Sequence, residues 1–301
     1  MRMKIAISGG TGFVGKHLTD YFLKQNHDVY ILTRSEKTSS KKNLHYIKWL
    51  TDQANPATHL EDVDVVINLA GKSINDRWTD EAKRQIIQSR IEATKAMYSI
   101  ISSLERKPSV FINASAIGIY GTSKDQVFTE RSTEHGSDFL AETVDVWEKE
   151  AKNIQKLGVR TAFTRFGIVL GEEGALPKML LPYKLFAGGK LGSGTQWMSW
   201  IHIDDLVRMI DHVIKTPSLS GPVNVTAPNP VQMNEFGKTI AKTINRPHWL
   251  PAPSFAIKAI LGEMSILLLE GQKVLPEKAV ETSFTFTFPH LQPALEDIVK
   301  S

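Results

Sequence analysis

The chain has 301 residues, of which 42% are apolar and 23% are charged, as in a soluble globular protein with one large or two modest domains. Lys and Arg outnumber Asp and Glu by only 36 to 32, and they are spread along the chain, so we expect neither nucleic-acid nor membrane binding. The absence of cysteine excludes disulfides and thiolate sites. Glycine soon interrupts the apolar start of the chain and no later apolar run approaches the roughly 20 residues of a membrane span, so we expect a cytoplasmic protein.

Apolar, β-branched runs alternate with helix-period segments through the first half of the chain. The strand-like runs are "KIAIS", "DVYILT", "DVVINLA", "SVFINAS" and "VRTAFTR". Strands separated by helical segments are typical of a parallel sheet with crossover helices. The sequence therefore predicts an α/β fold with a Rossmann-type doubly wound parallel sheet.

Two of the intervening segments have a clear helical period. In the first, Val14, Leu18 and Phe22 recur at helical spacing and Asn26 suits a helix end. In the second, Thr79 is a suitable N-cap and Pro108 lies beyond the end. The apolar residues that we place on one face of this long helix are Ile87, Ile91, Tyr98 and Ile101. This helix could form an oligomer surface, so we expect a monomer or a homodimer.

After about residue 170 the composition shifts to glycine, proline and aromatic residues. We therefore divide the chain into a nucleotide-binding domain at 1–170 and a smaller α+β substrate lobe at 171–301, which includes a C-terminal module at about 248–298. Residues 196–226 contain a strand end that continues into a helix and then the strand-like "PVNVT". We expect this segment to return to the first sheet.

The stretch "SGGTGFVG" follows the first predicted strand and opens the first predicted helix. It places Gly9, Gly12 and Gly15 in a G-x-x-G-x-x-G pattern. Glycine permits a sharp turn and a close approach to a pyrophosphate, and the helix start supplies free N–H groups and a positive dipole end. The alternative is a tight turn without a ligand.

Arg34 lies 19 residues after Gly15, at the end of the second predicted strand. NAD-preferring folds usually carry an acidic residue here, which binds the ribose 2′-hydroxyl. A guanidinium instead pairs with a 2′-phosphate through charge-assisted hydrogen bonds. The sequence thus favours NADP(H) over NAD(H), although Glu36 nearby leaves open that Arg34 is only a solvated surface charge.

An ordered set of motifs resembles a known family. The set is "GGTGFVG", "NLAG" at 68–71, "ASAIGIYG" at 114–121, "TRFGIVLG" at 164–171 and "SWIHIDDL" at 199–206. It resembles the extended short-chain dehydrogenase/reductases, which include nucleotide-sugar epimerases and dehydratases. "RWTDEAKRQIIQSRIEATKAM", "GSGTQWMSWIHIDDL" and "LLLEGQKVLPEKA" resemble its "epimerase family" branch, which has a C-terminal module of its own.

The resemblance implies roles for individual residues. Arg34 would meet the 2′-phosphate, and Ser115 would take the place of the catalytic serine that hydrogen-bonds a substrate oxygen. For Ser115 the alternative is a buried hydroxyl bonded only to backbone. The diphosphate loop would consist of Gly9, Thr11, Gly12, Phe13, Val14 and Gly15. The adenosine ribose and the approach to the nicotinamide would be lined by Leu69, Ala70 and Gly71.

The reaction centre departs from the family pattern, which has a tyrosine followed four residues later by a lysine on one helical face. In the matching stretch, Phe139 and Thr143 occupy these two places, so neither a phenolic proton nor a positive charge is available there. Tyr120 and Lys124 have the same spacing but lie in a segment that resembles a turn. Tyr120 is a candidate catalytic acid, and Lys124 is more easily interpreted as a solvated loop charge.

Other candidates are weaker. Lys72 could approach the nicotinamide ribose or lie on the surface, and the glycine-rich stretch 188–194 could act as a lid or as a plain connection. His202, Asp204 and Asp205 are interpreted as a hydrogen-bonded junction and a helix start. No spacing of His, Asp and Glu predicts a metal site.

Two functions fit these observations. The first is an NADP(H)-dependent oxidoreductase or epimerase-like enzyme, which acts on an unknown small carbonyl or sugar-type substrate in the cleft between the lobes. The alternative is a non-catalytic regulatory protein that senses NADP(H), because the dinucleotide loop is present while the Tyr-Lys pair is missing.

Overall fold

A seven-stranded parallel sheet forms the centre of the structure, a computed structural model that describes residues 2–300. In chain order the strands are β1 (Lys4–Ser8), β2 (Asp28–Thr33), β3 (Leu44–Lys48), β4 (Val65–Asn68), β5 (Val110–Ala116), β6 (Val127–Phe128), β7 (Arg160–Phe166), β8 (Ile168–Leu170), β9 (Trp197–Met198), β10 (Trp200–His202), β11 (Gly221–Val225), β12 (Val231–Gln232) and β13 (Lys273–Val274). The helices are α1 (Phe13–Lys24), α2 (Asp80–Ser103), α3 (Phe139–Ala151), α4 (Leu176–Lys184), α5 (Ile203–Lys215), α6 (Met233–Thr243), α7 (Ser254–Leu261), α8 (Ile266–Leu269), α9 (Glu277–Glu281) and α10 (Leu291–Lys300).

The strand order of the main sheet is β3-β2-β1-β4-β5-β7-β11, and every neighbouring pair is parallel. The predicted Rossmann-type α/β fold is confirmed. The chain reverses its direction of travel across the sheet between β1 and β4. In open α/β sheets, ligands bind at the carboxyl ends of the strands at this switch point.

One strand of the sheet was not predicted. β3 forms the edge beside β2, and only one of its five residues, Ile47, is buried. Its sequence "LHYIK" lacks the continuous apolar run of the central strands, because an edge strand covers less of the core. Sequence pattern alone therefore gives a weak signal here.

The two faces of the sheet carry separate apolar cores. Ile5 and Ile7 of β1 belong to one core together with residues of α1 and α5, whereas Ala6 belongs to the other together with residues of α2. The alternation follows from the period of two in a strand. The predicted end of α1 is confirmed, since Asn26 follows the helix with a φ of 64°.

The apolar face that we placed on α2 differs from the face that the helix buries. The Thr79 side chain caps the helix as predicted, accepting a hydrogen bond from the Ala82 N–H. Of the predicted face only Ile101 is buried, whereas Ile87, Ile91 and Tyr98 are half-buried. The core face instead consists of Ala82, Ile86, Ala93, Thr94, Met97, Ile100 and Ile101. Small residues form much of this face because the helix packs against the sheet and α3. A search for large apolar residues at helical spacing does not find such small core residues.

The second half of the chain forms its own core. α4, α6 and α10 contribute Leu176, Phe236 and Leu295 to it, and the β10 residue Trp200 is fully buried there. The predicted strand-to-helix passage at β10 and α5 is confirmed.

Two segments of this second half lie against the first domain. β11 is the edge strand of the main sheet beside β7. Further along the chain, β13 pairs with β6, Ala279 lies in the core beneath α5, and Phe284 packs on that core. The C-terminal region therefore touches both halves of the molecule.

Candidate functional site

The turn from β1 to α1 is shaped by three glycines with different roles. Gly9 has a φ of +68°, and a Cβ there would lie 2.9 Å from the Leu69 carbonyl oxygen. A Cβ on Gly15 would lie 2.3 Å from the Gly9 oxygen. A Cβ on Gly12 would meet only that same oxygen, at 3.3 Å. Gly9 and Gly15 are therefore required by the turn itself, whereas Gly12 keeps free space in front of α1.

The start of α1 suits an anion. Gly12 is the N-cap, no side chain caps the helix, and its first turn has no acidic residue. Thr11 and Gly12 are exposed, and Phe13 and Val14 are half-buried. Free N–H groups and the positive end of the helix dipole thus face solvent at the carboxyl end of β1.

Arg34 is exposed directly after β2. Glu36, the nearby carboxylate that could have neutralised it, lies 3.6 Å from the Lys48 ammonium instead. Arg34 forms no ion pair with any residue in the range 2–300. Its charge is therefore available to a ligand on the β2 side of the switch point.

The segment after β4 is tied to β1 by a polar cluster. The Ser8 hydroxyl donates to the Asn68 side-chain oxygen at 2.6 Å, and the Asn68 amide donates to Asn113 at 2.8 Å. The Leu69 N–H donates to the Ser8 carbonyl oxygen at 3.2 Å, and Ala70 and Gly71 continue outward as half-buried and exposed residues. The cluster, which our sequence analysis missed, links the carboxyl ends of β1 and β4 to the middle of β5.

Ser115 lies at the end of β5, as predicted, but its hydroxyl is engaged within the protein. It donates to the Glu148 carboxylate at 2.6 Å, and the residue is 2% exposed. Glu148 also accepts two hydrogen bonds from Arg165, both at 2.8 Å. Burial opposes the charge of Arg165, but the carboxylate outweighs it and raises the pKa of the guanidinium.

Tyr120 joins the same network. Its hydroxyl accepts a hydrogen bond from Arg165 at 2.9 Å and donates one to the Asn224 side-chain oxygen at 2.8 Å. Burial raises the pKa of the phenol, although Arg165 partly opposes this. Ser115 and Tyr120 are both buried, and both hydroxyl groups are hydrogen-bonded to protein side chains. The geometry favours structural roles, and catalytic roles for the two residues stay untested predictions.

Phe139 and Thr143 lie on α3, where the family pattern has its Tyr-Lys pair. The Phe139 ring packs edge-on against Trp78 with centroids 5.0 Å apart, and the Lys83 ammonium lies 5.4 Å from its centroid. The Thr143 hydroxyl donates to the Phe139 carbonyl oxygen at 2.7 Å. Of these four side chains, only Lys83 carries a charge at this position.

The weaker candidates are placed as follows. Lys72 is half-buried and its ammonium donates to Gln85, and Lys124 is exposed in the loop after Tyr120. In the stretch 188–194, Gly188 and Gly189 are buried, and the Gly188 carbonyl accepts the Trp249 N–H at 3.0 Å. This part of the stretch is therefore packed against the segment after α6 that contains Trp249, as in a fixed connection.

His202 and Asp205 are structural, as interpreted from the sequence. The His202 Nδ1 accepts the Asp204 N–H at 3.1 Å and so caps α5. Asp205 accepts N–H groups from Thr287 and Phe288, both at 2.8 Å. These bonds hold the C-terminal segment onto α5.

The sequence profiles of two families match the chain. The profile of the NAD dependent epimerase/dehydratase family covers residues 5–226, which include the main sheet except for Lys4, the first residue of β1. This chain belongs to that family. A second profile, a domain of unknown function designated DUF1731, covers residues 252–298. The resemblance to the epimerase family with its own C-terminal module is thereby confirmed.

Relatives match this epimerase-family protein over nearly its full length. "Epimerase family protein YfhF" of Bacillus subtilis is 50% identical over 297 residues, covering 99% of this chain and 98% of the relative. "Epimerase family protein SSP1921" of Staphylococcus saprophyticus is 46% identical over 294 residues, covering 97% and 98%. The similarity therefore spans both the region of the epimerase/dehydratase profile and the region of the C-terminal profile.

Solved structures show the same fold. The human epimerase family protein SDR39U1, solved with NADPH, matches with a TM-score of 0.87 and 30% identity over 99% of both chains. A UDP-glucuronic acid 4-epimerase from Bacillus cereus, solved with UDP-glucuronic acid and NAD, matches with a TM-score of 0.80 and 17% identity over 99% of this chain and 98% of the other. The second likeness concerns the fold alone.

Two further observations concern residues 2–300. No helix there is both long and apolar enough to cross a membrane. The same residues contain no group of three or more His, Asp and Glu side chains that could hold a metal ion.

Proposed function

We propose that this epimerase-family protein binds NADP(H) across the carboxyl ends of β2, β1 and β4. The observation that carries the proposal is the pairing of an uncapped α1, with open space at Gly12, and an unpaired Arg34 on the neighbouring strand. The uncapped start of α1 suits a diphosphate, and the Arg34 guanidinium suits a 2′-phosphate. No residue in the range 2–300 forms an ion pair with Arg34.

The residues of this edge fit the parts of the cofactor. Thr11 and Phe13 would hold the diphosphate with backbone N–H groups, and Gly12, whose own N–H donates to the Gly9 carbonyl oxygen, would leave space for it. Arg34 would bind the 2′-phosphate in a bidentate manner. Leu69 and Ala70 would line the path from the diphosphate to the nicotinamide. When bound, the nicotinamide ring supplies hydride transfer.

The human relative supports the choice of NADP(H). Its structure was solved with NADPH, and at 30% identity it covers 99% of this chain. The more distant epimerase was solved with NAD, and at 17% identity it shows the fold alone. Arg34 of this chain is what favours the phosphorylated cofactor.

We further propose an oxidoreductase or epimerase-like reaction on a small carbonyl or sugar-type substrate between the two lobes. The family itself is defined by epimerases and dehydratases. Phe139 cannot donate a proton and Thr143 cannot supply a charge, so the proton must come from another group. Candidates are water, the substrate itself and Tyr120, although the last would first have to leave Arg165 and Asn224.

A second candidate function is supported by the same network. Ser115 and Tyr120 are buried and hydrogen-bonded to protein groups, and the Tyr-Lys pair is replaced. A protein that retains the dinucleotide site but not the reaction centre could sense the NADP(H) redox state. Its signal would then pass through a partner surface.

A binding titration tests the cofactor proposal. Cofactor-stripped protein is titrated with NADPH, NADH and their oxidised forms, and the titration is repeated on Gly12→Val and Arg34→Ala. We expect NADPH binding in the parent, its loss in the first variant and a shift towards NADH in the second. Absence of dinucleotide binding by the parent would refute the proposal.

A second experiment separates the two functions. Purified protein at high concentration is incubated with NADPH and a panel of carbonyl compounds and nucleotide sugars. Turnover supports the enzyme. No turnover, combined with different shapes or partners in the NADP⁺ and NADPH complexes, supports the sensor, and equal binding of both forms without such a difference contradicts it.

A further inference from the structure

Arg90 is a charged residue of α2 that turns toward the strand end rather than toward solvent. Its Nη1 donates to the Lys72 carbonyl oxygen at 3.0 Å and to the Ile86 carbonyl oxygen at 2.9 Å. The guanidinium carbon lies 4.9 Å from the centre of the Trp147 ring on α3. Arg90 therefore bridges α2, α3 and the segment that follows β4.

The charge of Arg90 has no counter-ion among residues 2–300. Its protein acceptors are backbone carbonyl groups, and Nε and Nη2 have no acceptor within that range. Burial lowers the pKa of Arg90 to about 10, so the side chain is still charged at neutral pH. Arg90 is half-buried, and a partly desolvated charge without a carboxylate partner is costly; such groups cluster at functional sites.

Arg90 borders the predicted cofactor path. A Cβ on Gly71 would lie 3.2 Å from the guanidinium carbon of Arg90 and 3.3 Å from its Nη1. Gly71 follows Leu69 and Ala70 at the end of β4. A Cβ at position 71 would press on the Arg90 side chain, so glycine leaves Arg90 the space to lie against this strand end.

The strand order determines which half of the cofactor Arg90 would meet. Arg34 follows β2, which lies on one side of β1, whereas Gly71 follows β4 on the other side. If Arg34 holds the 2′-phosphate and the α1 start holds the diphosphate, the nicotinamide half extends toward β4 and β5. Arg90 lies on that side, and the adenosine half lies on the other.

We propose that Arg90 binds the nicotinamide half of NADP(H) and supplies there the positive charge that Thr143 cannot provide. This inference rests on the proposed cofactor. Thr143 and Trp147 are one turn apart on α3 and therefore share a helix face. Arg90, which belongs to α2, places its guanidinium over Trp147 on that face. Its ligands are the ribose hydroxyl or carboxamide oxygens, for which a guanidinium is a suitable donor.

The first test maps arginine accessibility in the parent protein. Phenylglyoxal modification, followed by peptide mass spectrometry, is compared without ligand, with 2′,5′-ADP and with NADPH. 2′,5′-ADP carries the 2′-phosphate but has no nicotinamide. We expect both ligands to protect Arg34, only NADPH to protect Arg90, and neither to protect Arg84, which is exposed on the same helix.

The second test measures affinity for the same two ligands in Arg90→Gln, Arg90→Lys and the control Arg84→Gln. Loss of a charge-assisted contact predicts about tenfold weaker NADPH binding in Arg90→Gln, with 2′,5′-ADP affinity within about twofold of the parent. Arg90→Lys should recover part of the loss, and Arg84→Gln should match the parent.

The outcomes distinguish this inference from the proposed function. A parent that binds neither ligand refutes the NADP(H) site itself and with it the role of Arg90. A parent that binds both ligands while NADPH leaves Arg90 unprotected, or an Arg90→Gln protein that loses both affinities equally, overturns only the inference. In that case Arg90 holds the Lys72 segment and has no contact with the cofactor.

Discussion

Glu148 and Arg165 form a bidentate ion pair between α3 and β7, with both N···O distances at 2.8 Å. Their side chains are 5% and 4% exposed. Ser115 and Tyr120 hydrogen-bond to this pair. Two residues that the sequence motifs marked as catalytic are thus held by an ion pair, of which Arg165 lies in the motif "TRFGIVLG" and Glu148 lies in none of the quoted motifs.

The first prediction concerns the stability that this pair confers. Arg165→Met should lower the free energy of unfolding by about 3–5 kcal/mol, because it leaves the Glu148 carboxylate buried without a counter-charge. Urea unfolding followed by circular dichroism measures the change. The double variant with Glu148→Met as well should be more stable than Arg165→Met alone, and a double variant that is less stable would contradict this account.

The second prediction contrasts two glycines of the β1–α1 turn. Gly15→Ala places a Cβ 2.3 Å from the Gly9 oxygen, so overpacking should cost about 1–3 kcal/mol of stability. Gly12→Ala meets that oxygen only at 3.3 Å and should stay within about 1 kcal/mol of the parent. Thermal unfolding measures both, and equal losses would show that Gly12 too is required by the turn.

The third prediction is a loss of stability in weak acid that depends on His202. Burial lowers the pKa of His202, although Asp204, Asp297 and Asp205 partly oppose this. Between this folded-state pKa and the unfolded value of about 6.5, the unfolded chain binds more protons, so stability falls as the pH drops below about 6.5. Protonation of Nδ1 would also remove the acceptor of the Asp204 N–H.

His202→Asn provides the comparison, because asparagine caps helices but does not titrate. Unfolding free energies at pH 7.5 and 5.5 should differ less in the variant than in the parent. Some dependence should persist, since burial also lowers the pKa of His27, His212 and His248. An unchanged dependence would remove His202 as a contributor.

The fourth prediction concerns the missing phenol. In Phe139→Tyr the new hydroxyl group lies on a ring whose centre is 5.4 Å from the Lys83 ammonium, which also pairs with the Glu263 carboxylate, so the pKa of the phenol should fall slightly below the ordinary value of about 10. Ultraviolet difference titration against the parent measures the pKa of the new phenol. Adding Lys83→Met should restore the ordinary value, and a phenol that titrates at or above about 10 in the single variant would refute the influence of Lys83.

Much of the fold could be predicted from the sequence because the relevant signals are local. The β-branched runs, the helical period of α1 and the cap at Thr79 each depend on neighbours within a few residues. The diphosphate turn could be recognised for the same reason, since Gly9, Gly12 and Gly15 act on backbone that is close in sequence. The edge strand β3 was missed because its half-buried residues have no regular apolar pattern.

The sequence by itself therefore determined the Rossmann-type sheet, the family and the glycine turn. Only the tertiary structure decided which face of α2 is buried, that Ser115 and Tyr120 face an ion pair, and that Arg90 reaches Gly71. Each of these depends on contacts between residues that are distant in the chain, such as Ser115 with Glu148. Such contacts follow from how strands and helices pack, and a side chain's neighbours across the sheet leave no trace in local periodicity.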